Sequence, residues 1–266
     1  MPPFYIPGEE DFSTDVTAQW TEDNWNVAIG AVLLYLALVF IGPRIMANKE
    51  PFDLKYPLAA WNILLSLFSF IGACRSVPFL FITLYERGYE ESICRHPNET
   101  WAAIGAVPLW CMLMNFSKFV ELFDTVFIVL RKRPLIFLHW YHHMSVLLFC
   151  WSAYSIPTAS GIYFFAMNYS VHALMYGYYG LKGLDLVLKS FPAQIITNVQ
   201  TIQMFIGTFV CASGWYYRAS GVICHNDIKN LLAGAAMYVS YLYLFIDFAL
   251  KKYYFKKNRT TVKKTA

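Results

Sequence analysis

Residues Phe137 to His143 read FLHWYHH and hold three of the chain's six histidines. Apolar runs bracket them, PLIFL before and MSVLLFCW after. Imidazole is a nucleophile, a proton carrier near neutral pH and a common metal ligand. The box therefore admits metal binding, covalent or acid–base chemistry, or histidines that merely satisfy one another in a core. On a helix, His142 and His143 lie three and four residues from His139 and so share its face.

Further polar groups recur at the same spacing in neighbouring apolar runs. Lys118, Glu121 and Thr125 form one stripe, with Asp124 beside it. Asn168 and His172 are four apart, with Tyr169 and Tyr176 nearby, and Thr197, Gln200 and Gln203 follow in the next run. Singly, Lys118 and Glu121 read as a structural ion pair and the glutamines as interhelical glue. Together, four consecutive runs with polar groups at similar depth describe a chamber, because ionisable residues within a bilayer are expensive.

The chemistry divides on metal. Di-iron lipid enzymes need several histidine boxes, and this chain has one. His96 and His225 fall away from the other four. Four imidazoles suffice for one zinc, with Glu121 or Asp124 as further donors, but no metal is expected. The other reading uses imidazole as nucleophile and acid–base group, with amide donors opposite to bind an oxyanion or enolate. The basic turn Arg131-Lys132-Arg133, with Lys182 and Lys189, would receive a phosphorylated carrier at the rim. Charge alone does not separate that role from ordinary basic loops, which are the stronger explanation for each lysine.

The elements that must position these groups are transmembrane helices. The 266-residue chain is 58% hydrophobic and 14% charged, where soluble domains run about 45–50% and about 25%. Residues 1–25 carry no Lys or Arg and six acids, unlike a cleavable signal peptide. Hydropathy predicts seven spans, at about 26–46, 57–84, 104–131, 135–154, 161–181, 191–217 and 231–250. The expected class is an all-α membrane protein. Its parts are an N-terminal segment over 1–25, a seven-helix domain over 26–252 and a basic tail over 253–266.

With a luminal N-terminus and a cytosolic C-terminus, fifteen of the 21 Lys and Arg fall on the cytosolic side. Arg87, Arg95, Arg218 and Lys229 are luminal, and Arg75 and Lys118 lie inside spans. Asn98-Glu99-Thr100 then becomes a usable glycosylation acceptor, while those at Asn115, Asn168 and Asn258 do not. Cys94 and Cys224 share the luminal side, either bridged or as free thiols. Lys263 and Lys264, near the end of a cytosolic tail, read as a di-lysine address of endoplasmic reticulum membrane proteins, or as a basic patch on anionic lipid.

KFVELFDTVFIVLRKR, FLHWYHH, MNYSVHALMYGYY and TNVQTIQM occur in that order. They resemble the very-long-chain fatty acid elongases of the endoplasmic reticulum, over roughly residues 20–255. Trp140-Tyr141 is similar to the HWYHH subgroup acting on saturated and monounsaturated chains. Phe123 and Asp247 depart from its pattern, which bears on chain length rather than on the reaction. The resemblance implies condensation of acyl-CoA with malonyl-CoA to 3-oxoacyl-CoA, CoA and carbon dioxide, without cofactor. It also implies a Cys94–Cys224 disulfide.

Joined to the chemistry above, His142 is expected to carry the acyl group as an acyl-imidazole. His139 and His143 would tune it, and His172 with Asn168 would steady the enolate. Lys118, Glu121 and Asp124 would form a supporting network, and Gln200 and Gln203 would hold the thioester or pantetheine. Cys150 is the other conceivable nucleophile and ranks below His142. Expected partners are membrane lipid and a ketoreductase, dehydratase and enoyl reductase, with self-association open and no nucleic acid. The competing readings are a metal-dependent lipid desaturase or hydroxylase on the same histidines, and a seven-helix transporter or receptor.

Overall fold

A computed structural model describes residues 7–156, 158–187 and 191–255, with the backbone alone for 254 and 255. Lys189, Lys263 and Lys264 lie outside the described residues. The elements run α1 (Asp15–Asp23), α2 (Trp25–Met46), α3 (Lys55–Cys94), a 3₁₀ turn (Pro97–Glu99), α4 (Ala106–Glu121), α5 (Phe123–Leu130), α6 (Phe137–Ser155), α7 (Gly161–Gly183), α8 (Gln194–Ala219) and α9 (Ile228–Ala249). A π-helical extension, Leu250–Phe255, continues α9. No strand occurs among the described residues.

Four helices, α2, α3, α8 and α9 with its extension, are long and apolar enough to cross a bilayer by themselves. The helices between α3 and α8 carry Lys118, the histidine box, Asn168 and His172, and α8 itself carries Gln200 and Gln203. The exterior is apolar: Leu34, Leu64, Phe81 and Phe205 are all more than half exposed. The interior holds Asn62, Lys118, Glu121, Thr125, Asn168, His172 and Gln203, all buried. An apolar outside around a polar inside is the arrangement lipid imposes, and the chain is a multi-pass membrane protein.

Helices approach closely where side chains are small. The α3 and α7 contact is the most extensive in the molecule. A Cβ on Gly72 would sit 2.5 Å from the Tyr169 ring, and the Tyr169 hydroxyl donates to the Trp110 carbonyl at 2.6 Å.

Two expectations change. The second span is a 40-residue helix reaching Cys94. Its last turns are re-aimed at Gly88, whose φ of 76° suits glycine. The stretch expected as a third span, 104–131, is broken at Leu122 between α4 and α5. The N-terminal segment packs against the bundle. Residues 15–23 form α1, whose Trp20 packs edge-on to Trp151 at 5.8 Å and whose Thr17 hydroxyl meets the Tyr154 hydroxyl at 2.5 Å. Before it, Glu9 is fully buried. It accepts from Arg75 at 3.1 Å and from the Trp110 indole at 2.6 Å. A buried charge requires such a partner, and this one answers Arg75.

Cys94 and Cys224 form a disulfide. Around it, His225 N–H donates to the Cys94 carbonyl, and the Asn226 amide to the Ile93 carbonyl, at 2.9 and 2.8 Å. Asn226 Oδ1 accepts from Ser160 N–H and hydroxyl. The end of α3 and the segments leading into α7 and α9 are thus knitted together. Asn98 is exposed at this same end.

Candidate active site

At the opposite end a cavity of about 580 Å³ opens among α3 to α9. His139, His142 and His143 enter it from α6, Asn168 and His172 from α7, Glu121 and Asp124 from α4 and α5, and Gln200 and Gln203 from α8. The four polar stripes do line one chamber. The i, i+3, i+4 spacing puts the His143 ring 4.4 Å from His139 and 5.4 Å from His142.

One chain of hydrogen bonds fixes the His172 side. Lys118 Nζ donates to Glu121 Oε1 at 2.7 Å and to Asn168 Oδ1 at 2.9 Å. Ammonium has only donors, so the contacting Asn168 atom must be its carbonyl oxygen. Asn168 Nδ2 therefore faces His172 Nε2, at 3.1 Å, and that nitrogen must accept. The proton of neutral His172 is left on Nδ1, which lies 3.7 Å from Glu121 Oε1. Glu121 also accepts from the Ser117 hydroxyl. This assigns the tautomer from the network, since hydrogens are not themselves placed by the fold.

A second chain orients His139. The Tyr35 hydroxyl meets the Thr125 hydroxyl at 2.9 Å, and Thr125 meets His139 Nε2 at 2.9 Å. His142 is held differently. Its carbonyl accepts from the Tyr241 hydroxyl at 3.2 Å, and its ring lies 5.0 Å from the Tyr241 ring. Its own ring nitrogens form no hydrogen bond among the described residues. The His143 ring is likewise without a hydrogen bond among the described residues, and of the two His142 is the less buried. His143 is buried and its Nδ1 has no partner among the described residues.

Asp124 does not join Lys118. Past the break at Leu122 it turns toward α3 and α7, accepting from Trp61 Nε1 and the Tyr176 hydroxyl at 2.7 Å each. Tyr176 in turn sets its ring edge-on to His172 at 5.3 Å. Gln200 Nε2 donates to Met175 Sδ at 3.0 Å, and Gln203 is buried.

The chamber mouth carries Arg131, Arg133, Lys182 and Lys55. Lys55 was missed in the sequence. Its signal was a basic helix start at the same end as the Arg131 turn. Lys132 is not at the mouth. At φ 51° it turns back and donates to the Ala47 and Lys49 carbonyls at 2.9 and 3.1 Å, a strap between loops. Lys182 lies over the Tyr178 ring at 5.3 Å.

Two departures from the subgroup pattern face away from the chamber. Phe123 is exposed and packs on Trp61 at 6.0 Å. Asp247 pairs with Lys251 at 2.8 Å. Trp140 turns toward Phe40 of α2. Cys150 lies outside the chamber, lining a separate cavity with Cys111 and Cys211. Among the described residues no three His, Cys, Asp or Glu side chains are placed to share a metal ion.

The model of the GNS1/SUR4 (ELO) family matches residues 20–261. The very long chain fatty acid elongase 6 of Drosophila melanogaster is 40% identical over 247 residues, covering 92% of this chain and 78% of its own. That of Gallus gallus is 36% identical over 245 residues, covering 92% and 91%. That of Homo sapiens is 36% identical over 255 residues, covering 95% and 94%.

Proposed function

The chain belongs to the GNS1/SUR4 family and is a fatty acid elongase, a 3-oxoacyl-CoA synthase, and from that premise we propose that His142 carries the acyl group in a ping-pong condensation. The supporting observation is that His142, whose ring makes no hydrogen bond among the described residues, shares the chamber with a His172 whose tautomer is fixed by Lys118 through Asn168.

In the first half-reaction a ring nitrogen of His142 attacks the acyl-CoA thioester carbonyl. The carbon–sulfur bond breaks, and CoA leaves as thiol with the proton shed by the acylated ring. In the second, malonyl-CoA loses carbon dioxide and its enolate carbon attacks the acyl carbonyl. The carbon–nitrogen bond breaks, the departing imidazolate takes a proton from solvent in place of the one that left with CoA, and 3-oxoacyl-CoA forms. Decarboxylation supplies the carbanion, so the protein's task is to bind, orient and stabilise charge. His172 Nδ1–H is the donor for the enolate or thioester oxygen. Lys118, Glu121 and Asn168 act through it as positioning residues. His139, set by Thr125 and Tyr35, packs His143 against the nucleophile. Asp124 fixes Tyr176 beside His172, and Gln200 and Gln203 flank the thioester.

Arg131, Arg133, Lys182 and Lys55 receive the phosphates of the carrier, as guanidinium and ammonium groups do. We read α2, α3, α4 with α5, α6, α7, α8 and α9 as seven spans. This mouth then faces the cytosol and the disulfide end faces the lumen of the endoplasmic reticulum, with Asn98 open to glycosylation. The product is a 3-oxo thioester, so a ketoreductase, a dehydratase and an enoyl reductase must follow.

The test is intact mass of the purified protein after palmitoyl-CoA alone. An acyl adduct that is lost in His142→Ala and kept in Cys150→Ala is expected. Condensation proceeding with no adduct in the unmodified protein would replace ping-pong with direct attack in a ternary complex.

A further inference from the structure

Five helices that line the chamber also line a second, smaller cavity of about 70 Å³. Between the two, α6 turns from His142 to Cys150, α8 from Met204 to Cys211 and α9 from Phe245 to Asn230. The step along α6 is eight residues, about 12 Å of helix rise. Met204 of the chamber wall and Phe149 and Phe164 of the small cavity's wall belong to one apolar cluster with Tyr238, with Phe164 stacked on Tyr238 at 5.3 Å. The small cavity therefore lies further along the same helices than the chamber, and this cluster is the apolar neck that a chain reaching it would have to pass.

Its wall is not uniformly apolar. Asn115 and Asn230 line it and are only 4% and 6% exposed. Neither Asn115 Nδ2 nor Oδ1 has a hydrogen-bond partner among the described residues, and neither does Asn230 Nδ2. Asn230 Oδ1 is engaged, accepting from the Ser152 hydroxyl at 2.7 Å, which orients the amide. Buried amides left unpaired are costly. Two donors and an acceptor together match a hydroxyl, which both donates and accepts. A methyl group satisfies none of them.

Resting on the condensing reading above, we propose that this cavity reads the distal end of the acyl chain, and that Asn115 and Asn230 favour a chain ending in a hydroxyl over one ending in a methyl. Saturated chains long enough to press a methyl against the two amides are disfavoured. Chains too short to pass the neck are indifferent to the distal group.

The experiment measures 3-oxoacyl-CoA formation from malonyl-CoA with two matched series of increasing length, saturated acyl-CoAs and their ω-hydroxy counterparts. In the unmodified protein the two series should run together at short lengths. They should diverge once the chain reaches the cavity, the hydroxy chain gaining about tenfold in kcat/KM. Asn115→Leu and Asn230→Leu should erase that divergence while leaving short saturated chains unaffected. Equal rates for both series at every length in the unmodified protein would overturn the proposal without any variant, as would a hydroxyl preference surviving in Asn115→Leu. No condensation with any acyl-CoA would instead overturn the condensing reading, and the proposal with it.

Discussion

The two ends of the bundle solve opposite problems. At one end the disulfide, Asn226, Ser160 and the Glu9–Arg75 pair join segments distant in sequence. At the other end a chamber of about 580 Å³ keeps a charged mouth and unpaired imidazole nitrogens. Closure at the first end supplies the frame, so the second can carry polar groups that packing alone would not favour. A cross-linked end acts mainly on stability. A preorganised chamber acts mainly on rate. Substitutions at the two ends should separate along that line.

The largest effect is expected at His142. His142→Ala should lower kcat by about 10⁴-fold or more, as loss of a nucleophile does, with little change in thermal denaturation. A comparable drop in denaturation temperature would make His142 a packing residue and break the comparison.

Lys118 sits on both sides of the divide. Lys118→Met leaves the Glu121 carboxylate buried and unpaired, which costs roughly 3–5 kcal/mol of stability, and it also releases the Asn168 amide. Asn168→Asp separates the two roles. It keeps an acceptor for Lys118 but removes the donor-capable amide, so His172 Nε2 must carry a proton instead. We expect kcat to fall on the order of 10²–10⁴-fold, as for a general acid–base group held in the wrong tautomer, with KM for acyl-CoA nearly unchanged. A rise in KM with kcat preserved would remove the tautomer from the mechanism.

The disulfide end should show the reverse signature. Cys94→Ser with Cys224→Ser should cost roughly 2–5 kcal/mol of stability, read as a lower denaturation temperature in detergent. At a temperature where the variant stays folded, kcat should match that of the unmodified protein. Lost activity under those conditions would mean that strain crosses the bundle.

How much of this was legible in the sequence follows from the range of each interaction. The histidine box, the Lys118–Glu121 pair and the Asn168–His172 pair lie within one helical turn, so spacing placed them on common faces. Asp124 was grouped with Lys118 and Glu121, and the break at Leu122 turns it toward Trp61, 63 residues away in sequence. Glu9 and Arg75 are 66 residues apart, and no periodicity links an N-terminal acid to a lysine-free stretch of α3. Lys132 read as a rim cation by charge alone. Its left-handed backbone, which decides where the side chain goes, leaves no mark in composition. The small cavity was invisible for the same reason: Asn115 and Asn230 become a pair only when α4 and α9 meet across α6.

The smallest effect, and the one that sharpens the contrast most, concerns the mouth. Lys55 Nζ pairs with Asp185 Oδ2 at 2.6 Å, with side chains 41% and 78% exposed. An exposed, solvent-screened pair of this kind contributes little to stability, so neither partner matters to folding. As a phosphate-binding group, though, Lys55 is partly neutralised by Asp185. Lys55→Ala should raise KM for acyl-CoA a few-fold at low salt, and Asp185→Asn should lower it by a similar factor. Asparagine tolerates the φ of 61° that Asp185 adopts, so the second variant removes charge and not shape. Both differences should shrink as ionic strength rises and the Debye length falls below about 8 Å, while kcat stays constant. Opposite shifts in KM that salt abolishes would place Lys55 on the carrier's phosphates. Shifts in the same direction, or shifts indifferent to salt, would make the pair a simple tie between α3 and the segment after α7.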